Sequence, residues 1–298
     1  MLELLKCMNI KDVARHLGVS WTFVKNLQKE YLGKHYGRPN LKKVRYIGID
    51  ETAVGKGHKY FTIVLDLESG AVLFVGDGKS ADALKPFWKR VKRAGVKIEA
   101  VATDMSPAYI SAVRENLPQA ALVFDHFHVV KLMNDRLQKL RRDLYRELTD
   151  KMHKNVLKGT RWLLLKNPEN LDEKKGERER LEEALKLNAP LALAYYMKED
   201  LRRIWQQSDK RQAAQILNSW IERARNSGVR ILQKLSKTLA KYRGGILQWY
   251  DFPLTTSALE GTNTKIKLMQ RQSYGIRDKE FLKLKIYACK ELRYSIVG

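Results

Sequence analysis

The pattern of apolar and polar positions over the first 36 residues predicts two short helices. Ile10, Val13, Ala14 and Leu17 share one helical face, and Gly18 ends that pattern. Ser20 is a residue type that favours the N-cap of a second helix. The chain therefore predicts a helix, a tight turn and a second helix at its N-terminus.

The second helix is predicted to bury Phe23, Val24 and Leu27. The spacing of Ala14, Gly18 and Val24 is that of a helix-turn-helix, which places its second helix in the major groove of DNA. An ordinary helical hairpin would show the same spacing. If the motif binds DNA, its outward contacts are Ser20, Trp21, Thr22, Lys25 and Asn26. We assign residues 1–36 to this segment and 37–43 to a basic linker.

Residues 44–125 predict a mixed α/β region. Three strand-like runs joined by short turns come first, then a helix, a strand, a helix and a last strand. In order they are VRYIGID, KYFTIVLDL, AVLFVGD, SADALKPFWKRVKRAG, IEAVATD, SPAYISAVRENL and ALVFD. Ser80 is expected to cap the first of these helices, and Pro107 to lie in the first turn of the second. A hairpin meander followed by βα units implies a mixed sheet with helices packed on it.

From Phe127 to Tyr250 the periodicity is helical and no strand is predicted. Two further helices follow, in TTSALEGTNTKIKLMQRQ and RDKEFLKLKIYACKEL. The fold class predicted is α/β: a core at 44–130 and 251–298, interrupted by an all-α insertion at 131–250.

Charge narrows the partner class. The formal net charge is +24 over 298 residues, which favours a polyanion and above all nucleic acid; a ribosome-associated or merely basic protein is the alternative. Residues 201–250 are strongly basic and predict a phosphate-facing surface, although a solvated helical face would look alike. Cys7 and Cys289 have no partners at metal-ligand spacing, so a cysteine zinc site is not expected. No apolar run approaches the ~20 residues of a membrane span, and no secretion signal is seen.

Three acidic residues are candidates for metal-dependent phosphoryl transfer. Asp50 and Asp104 end predicted strands, and Glu260 lies in the first turn of a late helix. Clustered carboxylates can hold two Mg²⁺ ions that activate the attacking oxygen and stabilise the leaving one. The alternatives are turn residues for the aspartates and, for Glu260, a capping box with Ser257. Glu51 is expected to point to the other face of its strand.

Four motifs carry a family resemblance. They are GIDETA at 48–53, TDMSPAY at 103–109, FDHFHVVKLMND at 124–135 and SALEGTNTKIKLMQRQSYGIRD at 257–278. In this order they resemble the ISL3 family of DDE transposases of bacterial insertion sequences. The segment DVARHLGVSWTFVKNL is similar to the helix-turn-helix of that family.

The resemblance implies a ribonuclease-H-like core in which Asp50, Asp104 and Glu260 bind two Mg²⁺ ions, with Mn²⁺ able to substitute. It makes the helical block an insertion domain, in which Asp125 and His128 match a D-x-x-H signature. Trp220 could stack on an extruded base, although the interpretation as a core tryptophan is favoured. Lys267 and Arg271, on the helix of Glu260, are further expected DNA contacts.

The implied function is cleavage of DNA at the element ends and strand transfer into target DNA. The implied partners are double-stranded DNA and further copies of the chain, in a homodimer or larger assembly, with no membrane, in the bacterial cytosol near the nucleoid. A DNA-binding remnant or repressor, or another ribonuclease-H-like nuclease, remains the alternative. Members of the family usually carry a cysteine-rich zinc-binding segment before the helix-turn-helix, and this sequence is expected to lack it.

Overall fold

The computed structural model describes residues 1–55, 57–273 and 275–291. The chain divides into two compact units. One contains Met1–Val123 together with the chain from Leu254 onward, and the other is Phe124–Pro253. The first unit is therefore built from both ends of the sequence, as the predicted core was.

The first unit contains a mixed sheet. Within the described residues it has five strands in the order β3-β2-β1-β4-β5. β1 pairs antiparallel with β2, and β2 with β3, whereas β4 is parallel to β1. The strands are β1 (Tyr46–Gly55), β2 (Lys59–Asp66), β3 (Val72–Asp77), β4 (Ala100–Thr103) and β5 (Ala121–Phe124). The predicted mixed sheet, with its meander followed by βα units, is confirmed.

One face of the sheet packs against two helices that follow β3 and β4. Ile47, Ile49 and Val64 share a buried cluster with Phe87 of α3 (Lys85–Ala94) and Tyr109 of α4 (Pro107–Asn116). Alternate residues of a strand point to opposite faces. Odd-numbered residues of β1 up to Glu51 therefore belong to this side.

The opposite face packs against two late helices, α11 (Ser257–Gln272) and α12 (Lys279–Tyr287). Ile63 and Leu65 of β2 join Leu259 and Ile266 of α11 in a second buried cluster. Gly48 explains how closely α11 approaches β1. A Cβ at this position would lie 2.6 Å from Leu259 Cδ1, so a larger residue would push the helix away.

The N-terminal helices pack against α12. α1 (Ile10–Leu17) ends at Gly18, whose φ of 66° is left-handed, and α2 (Trp21–Tyr36) begins after Ser20. Ser20 Oγ accepts a hydrogen bond from Phe23 N, which confirms the predicted N-cap. Phe281 and Ala288 complete the buried cluster of these helices.

Two details of the predicted apolar faces were wrong. Phe23 is 54 % exposed and Leu17 is also exposed. The buried positions of α2 are Val24, Gln28 and Leu32, a stripe with a four-residue period that turns Phe23 outward.

The second unit is helical throughout the residues that the structure describes, as predicted. Its helices are α5 (His126–Glu147), α6 (Lys151–Gly159), α7 (Glu177–Leu187), α8 (Ala189–Arg202), α9 (Lys210–Asn226) and α10 (Arg230–Leu247). Trp220 is fully buried and its indole Nε1 donates a hydrogen bond to Met197 O across 2.7 Å. In this structure the ring belongs to the core and presents no face for stacking.

Three predicted element ends differ from the structure. β1 continues to Gly55, so Asp50 lies within the strand and not at its end. Ser80 makes no side-chain capping bond, because the residues after it form a 3₁₀ turn before α3 begins at Lys85. The last helix was predicted to reach Leu292, which lies outside the described residues, but α12 ends at Tyr287. Pro107 does lie in the first turn of α4.

Candidate active site

Asp50 sits at the point on β1 where the pairing changes. The parallel pairing of β1 with β4 ends at Ile49 opposite Thr103, whereas the pairing with β2 continues past Asp50. Beyond Ile49, this side of β1 therefore has no neighbouring strand in the described ladder. The carboxylate of Asp50 accepts a hydrogen bond from Glu51 N across 2.8 Å.

Asp104 is the first residue after β4. Because Thr103 pairs with Ile49 in a parallel ladder, Asp104 and Asp50 leave the shared ladder at the same edge. Asp104 Oδ1 accepts a hydrogen bond from Ser106 N across 2.9 Å, in the turn that precedes α4. The strands that carry Asp50 and precede Asp104 are therefore neighbours in the sheet, as a shared site for the two carboxylates requires.

The electrostatics around Glu51 show that the two aspartates act on the same space. Burial raises the pKa of Glu51, and the charges of Asp104 and Asp50 raise it further, while a hydrogen bond from Tyr109 opposes the shift. Burial also raises the pKa of Tyr109, and all three carboxylates add to that shift. Tyr109 OH lies 3.1 Å from Thr62 Oγ1. The negative charges of Asp50 and Asp104 are therefore felt at Glu51, and a cation between these residues would reduce the repulsion.

Glu260 lies in the first turn of α11, with its side chain exposed. The helix runs beside β1: Leu259 lies against Gly48, Asn263 bonds to Asp50, and Gln270 Nε2 donates to Val54 O across 3.1 Å. Because residues three apart are neighbours on a helix, Glu260 stands one turn before the residue that contacts Asp50.

The capping-box alternative for Glu260 needs Ser257 at the N-cap. Here Ser257 is the first helical residue, and the N-cap, Thr256, makes no side-chain capping bond. With Thr256 at the N-cap, Glu260 is the fourth residue of the helix and not the third, which a capping box requires.

Asn263 was missed in the sequence, although its position three residues after Glu260 could have drawn attention to it. Its Nδ2 donates to Asp50 Oδ2 across 2.8 Å. Its Oδ1 is buried, and among the described residues no hydrogen-bond donor reaches it. An amide that holds a carboxylate and keeps one unsatisfied oxygen at the same place is suited to a site that receives another group.

The donor set fits a hard divalent cation in its chemistry. Mg²⁺ prefers carboxylate and amide oxygens, which Asp50, Asp104 and Asn263 supply. In the three described ranges, however, no three His, Cys, Asp or Glu side chains come close enough together to form a metal site. The structure thus aligns Asp50 with Asp104 and sets Glu260 beside them on α11 without joining the three acids into one cluster.

The D-x-x-H residues belong to the helical unit. Asp125 is fully buried and caps α5, since its Oδ1 accepts a hydrogen bond from Phe127 N across 2.9 Å. The ring of His126, which the sequence did not single out, has its Nδ1 3.2 Å from Asp125 Oδ1. His128 is half-buried, and its backbone N donates to Asp125 O in the same cap.

The expected DNA contacts are divided by exposure. On α2 and just before it, Ser20, Trp21, Thr22 and Asn26 are exposed; Lys267 and Arg271 of α11 are exposed as well. Lys25 is half-buried, and its ammonium group is already paired. Its Nζ lies 3.0 Å from Asp278 Oδ2 and 5.6 Å from the centre of the Trp21 ring.

The basic stretch 201–250 is partly neutralised by acids that come from outside it. Arg202 contacts Glu169 and Glu199, and Arg223 contacts Asp200. Four cations of α10 form an exposed row on one face of the helix: Arg230, Lys234, Lys237 and Lys241. No acidic residue occurs in α10, so this row has no opposing charge on its own helix.

No helix in the described part of the chain has the length and apolar character needed to cross a lipid bilayer.

The chain is 37 % identical over 289 residues to the transposase for insertion sequence element IS1001 of Bordetella parapertussis, covering 96 % of this chain and 71 % of that relative. It is 28 % identical over 262 residues to the transposase for insertion sequence element IS1557 of Mycobacterium tuberculosis, covering 80 % of this chain and 58 % of the relative.

The structure is similar, with a TM-score of 0.47 and 11 % identity, to a chain of the Drosophila P element transposase strand transfer complex. That match covers 95 % of this chain and 90 % of the other. The family model that matches residues 47–286 is described as a transposase of the ISL3 group of DDE enzymes. This match spans more than half of the chain, and the chain therefore belongs to the ISL3 family of DDE transposases.

Proposed function

We propose that this chain is the transposase of an insertion sequence, which cuts DNA at the element ends and joins the freed 3′ end to target DNA. The observation that carries the proposal is the alignment of Asp50 and Asp104 on adjacent parallel strands, with α11 bringing Glu260 alongside β1. Family membership supports the same chemistry.

A ribonuclease-H-like core is the proposed fold of the first unit. Its support is the strand order β3-β2-β1-β4-β5, with an antiparallel meander on one side of β1 and a parallel strand on the other. In such a sheet the residues that follow the parallel ladder face one open edge, where a DNA phosphate can approach.

In the proposed site, Asp50, Asp104 and Glu260 hold the metal, and Asn263 orients Asp50. A pair of Mg²⁺ ions, for which Mn²⁺ can substitute, would supply an activated oxygen nucleophile and stabilise the leaving oxygen. Asp50 is fixed by bonds from Glu51 N and Asn263 Nδ2, so its carboxylate cannot rotate freely. Asp104 is fixed by Ser106 N. Residues held in this way are pre-organised for a metal and a phosphate.

Duplex DNA at the element ends and at the target is the proposed substrate. The exposed residues of α2, with Lys267 and Arg271 of α11, are proposed contacts on the first unit, and the cationic row of α10 on the second. Joining two element ends to one target favours a dimer or a larger assembly on DNA, and we place the protein in the bacterial cytosol.

The test is a cleavage and joining assay with the purified protein. A labelled duplex carrying an end of the cognate element is incubated with Mg²⁺, with Mn²⁺ or with EDTA, and the products are mapped on a sequencing gel. We expect a cut at the element end that appears with either metal and not with EDTA, followed by joined products. Specific binding to the end without any cut under either metal would point instead to a DNA-binding protein with an inactive core.

A further inference from the structure

A cavity of about 330 Å³ in the helical unit is lined by Arg141, Arg142, Tyr145, Lys158 and Arg161. The first three belong to α5, Lys158 to α6, and Arg161 to the turn after α6. Four of the five side chains are cationic, and no carboxylate lines the cavity. Such a cavity is built to take an anion.

Neighbouring residues hold the side chain of Arg141 in place. Arg141 Nη1 donates to Leu157 O across 3.1 Å, and its Nε donates to Gln138 Oε1 across 3.2 Å. Gln138 Nε2 in turn donates to Arg161 O across 2.8 Å, which ties the turn after α6 to α5. Neither bond of Arg141 uses its Nη2, whose donors remain for a ligand.

The charges in the cavity repel one another. Burial lowers the pKa of Arg141, and the charges of Arg161 and Arg142 lower it further. Asp143 of α5 is not among the lining residues and pairs with Arg146 at 3.8 Å. A group with negative charge on several oxygens would relieve it, and guanidinium groups bind phosphate with paired N–H donors.

Arg161 also lies 4.7 Å from the centre of the Trp162 ring, and Trp162 is 63 % exposed. Arg161 is itself exposed, so a polyanion can reach this lining residue of the cavity from solvent.

We propose that this cavity binds a phosphate group of a nucleic-acid backbone, and that the helical unit thereby has a DNA contact in addition to the cationic row of α10. The proposal rests on the proposed function for its choice of nucleic acid as the phosphate source. None of the proposed catalytic residues lines this cavity, so we assign it to affinity and positioning and not to the chemistry of cleavage.

The test measures binding without cleavage. The full chain carrying Asp50→Asn is titrated, in EDTA, against a fluorescein-labelled duplex over a series of salt concentrations. The same is done with Arg142→Gln and Lys158→Gln added. Arg141 is left in place because it anchors α6. The matched control adds Arg178→Gln and Lys186→Gln instead, which removes one arginine and one lysine from exposed positions of α7.

We expect the cavity variant to lose about 0.9 from the slope of log K against log salt for each phosphate contact removed, and the control to keep the slope of its parent. Equal slopes for the cavity variant and the control would overturn the proposal. Circular dichroism of each variant confirms that the fold is kept. This binding experiment does not measure cleavage, so equal slopes would overturn the cavity proposal and leave the catalytic proposal untouched. Absence of cleavage by the wild type in the assay under Proposed function would overturn the catalytic proposal and leave the cavity proposal untouched.

Discussion

Asn263 Nδ2 donates a hydrogen bond to Asp50 Oδ2 across 2.8 Å, and so connects α11 to the central strand at the proposed catalytic carboxylate. The two residues are 213 positions apart in the sequence. The bond fixes Asp50 and places the first turn of α11, with Glu260, beside it. The helix that closes the chain's core thus also sets the geometry of the proposed site.

Replacing Asn263 by alanine should lower the rate of DNA cleavage by about 10–100-fold, the usual cost of losing a residue that orients a metal ligand. The reason is that the carboxylate of Asp50 would lose the hydrogen bond from Asn263 that orients it. Cleavage rates at a series of Mg²⁺ concentrations measure the effect, and part of the loss should be recovered at high Mg²⁺. Thr264→Ala, one residue along on the exposed side of α11, is the control and should cleave normally. A rate for Asn263→Ala equal to that of the control would remove Asn263 from the site.

Replacing Glu260 by glutamine tests the metal-ligand role. Glutamine keeps the size of the side chain, but it carries no negative charge to bind a metal. We expect Glu260→Gln to abolish cleavage while the melting temperature stays unchanged. Cleavage at the wild-type rate would show that Glu260 is not a ligand.

Replacing Asp278 by asparagine should strengthen DNA binding by the N-terminal helices. Asp278 Oδ2 lies 3.0 Å from Lys25 Nζ and 3.3 Å from Lys29 Nζ. Because Lys29 Nζ also contacts Glu280 Oε2 across 2.6 Å, the substitution mainly releases Lys25. The backbone N–H of Phe281 and the Lys25 ammonium hold the pKa of Asp278 at about 2, so the carboxylate is charged at any working pH. Asparagine keeps the N-cap of α12 and loses only the charge.

The measurement is the salt dependence of duplex binding for Asp278→Asn. The slope should become steeper by about 0.9 for each lysine that gains a phosphate contact. Glu115→Gln, which removes one exposed acid from α4, is the matched control and should leave the slope unchanged. An Asp278→Asn slope no steeper than that control would show that α2 does not meet DNA through these lysines.

Lys285 should make the thermal stability depend on pH. Its side chain is 2 % exposed, and burial lowers its pKa to about 8, with the nearby Cys289 opposing the shift. Between pH 8 and the unfolded value of 10.5 the unfolded chain binds more protons, so stability rises with pH across that window. At neutral pH the folded protein bears the full cost of the buried charge, up to about 3 kcal/mol.

Lys285→Met should therefore raise the melting temperature at neutral pH and have a smaller effect near pH 10. Calorimetry at both pH values measures it, with the exposed Lys279→Met as control. A gain that is the same at both pH values would show that packing, and not charge burial, causes it.

The order of elements was predictable because each strand and helix has its own apolar period. Asp50 and Asp104 could be paired from the sequence, since both follow runs of strand character. The exact bounds of β1 could not, because its extension to Gly55 depends on pairing with β2. Phe23 was placed on the wrong face because both it and Val24 are apolar, and only contact with α12 decides between them.

Contacts between residues that are distant in the sequence could not be predicted from it. Nothing local marks Asn263 as the partner of Asp50, or Asp278 as the partner of Lys25. The same holds for the hydrogen bond that Trp220 Nε1 donates to Met197 O of another helix. Composition predicted a basic surface at 201–250, but the acids that neutralise part of it come from other segments.

The most direct test of metal-dependent cleavage at Asp50 is one quantitative assay on a labelled element end with Mg²⁺. It compares the wild type with Asp50→Asn and with Asp77→Asn. Asp77 is the last residue of β3, and its carboxylate pairs with Lys283. We expect wild type and Asp77→Asn to cleave alike and Asp50→Asn to give no product while binding the same DNA. Equal cleavage by Asp50→Asn and the wild type would contradict the assignment of the active site.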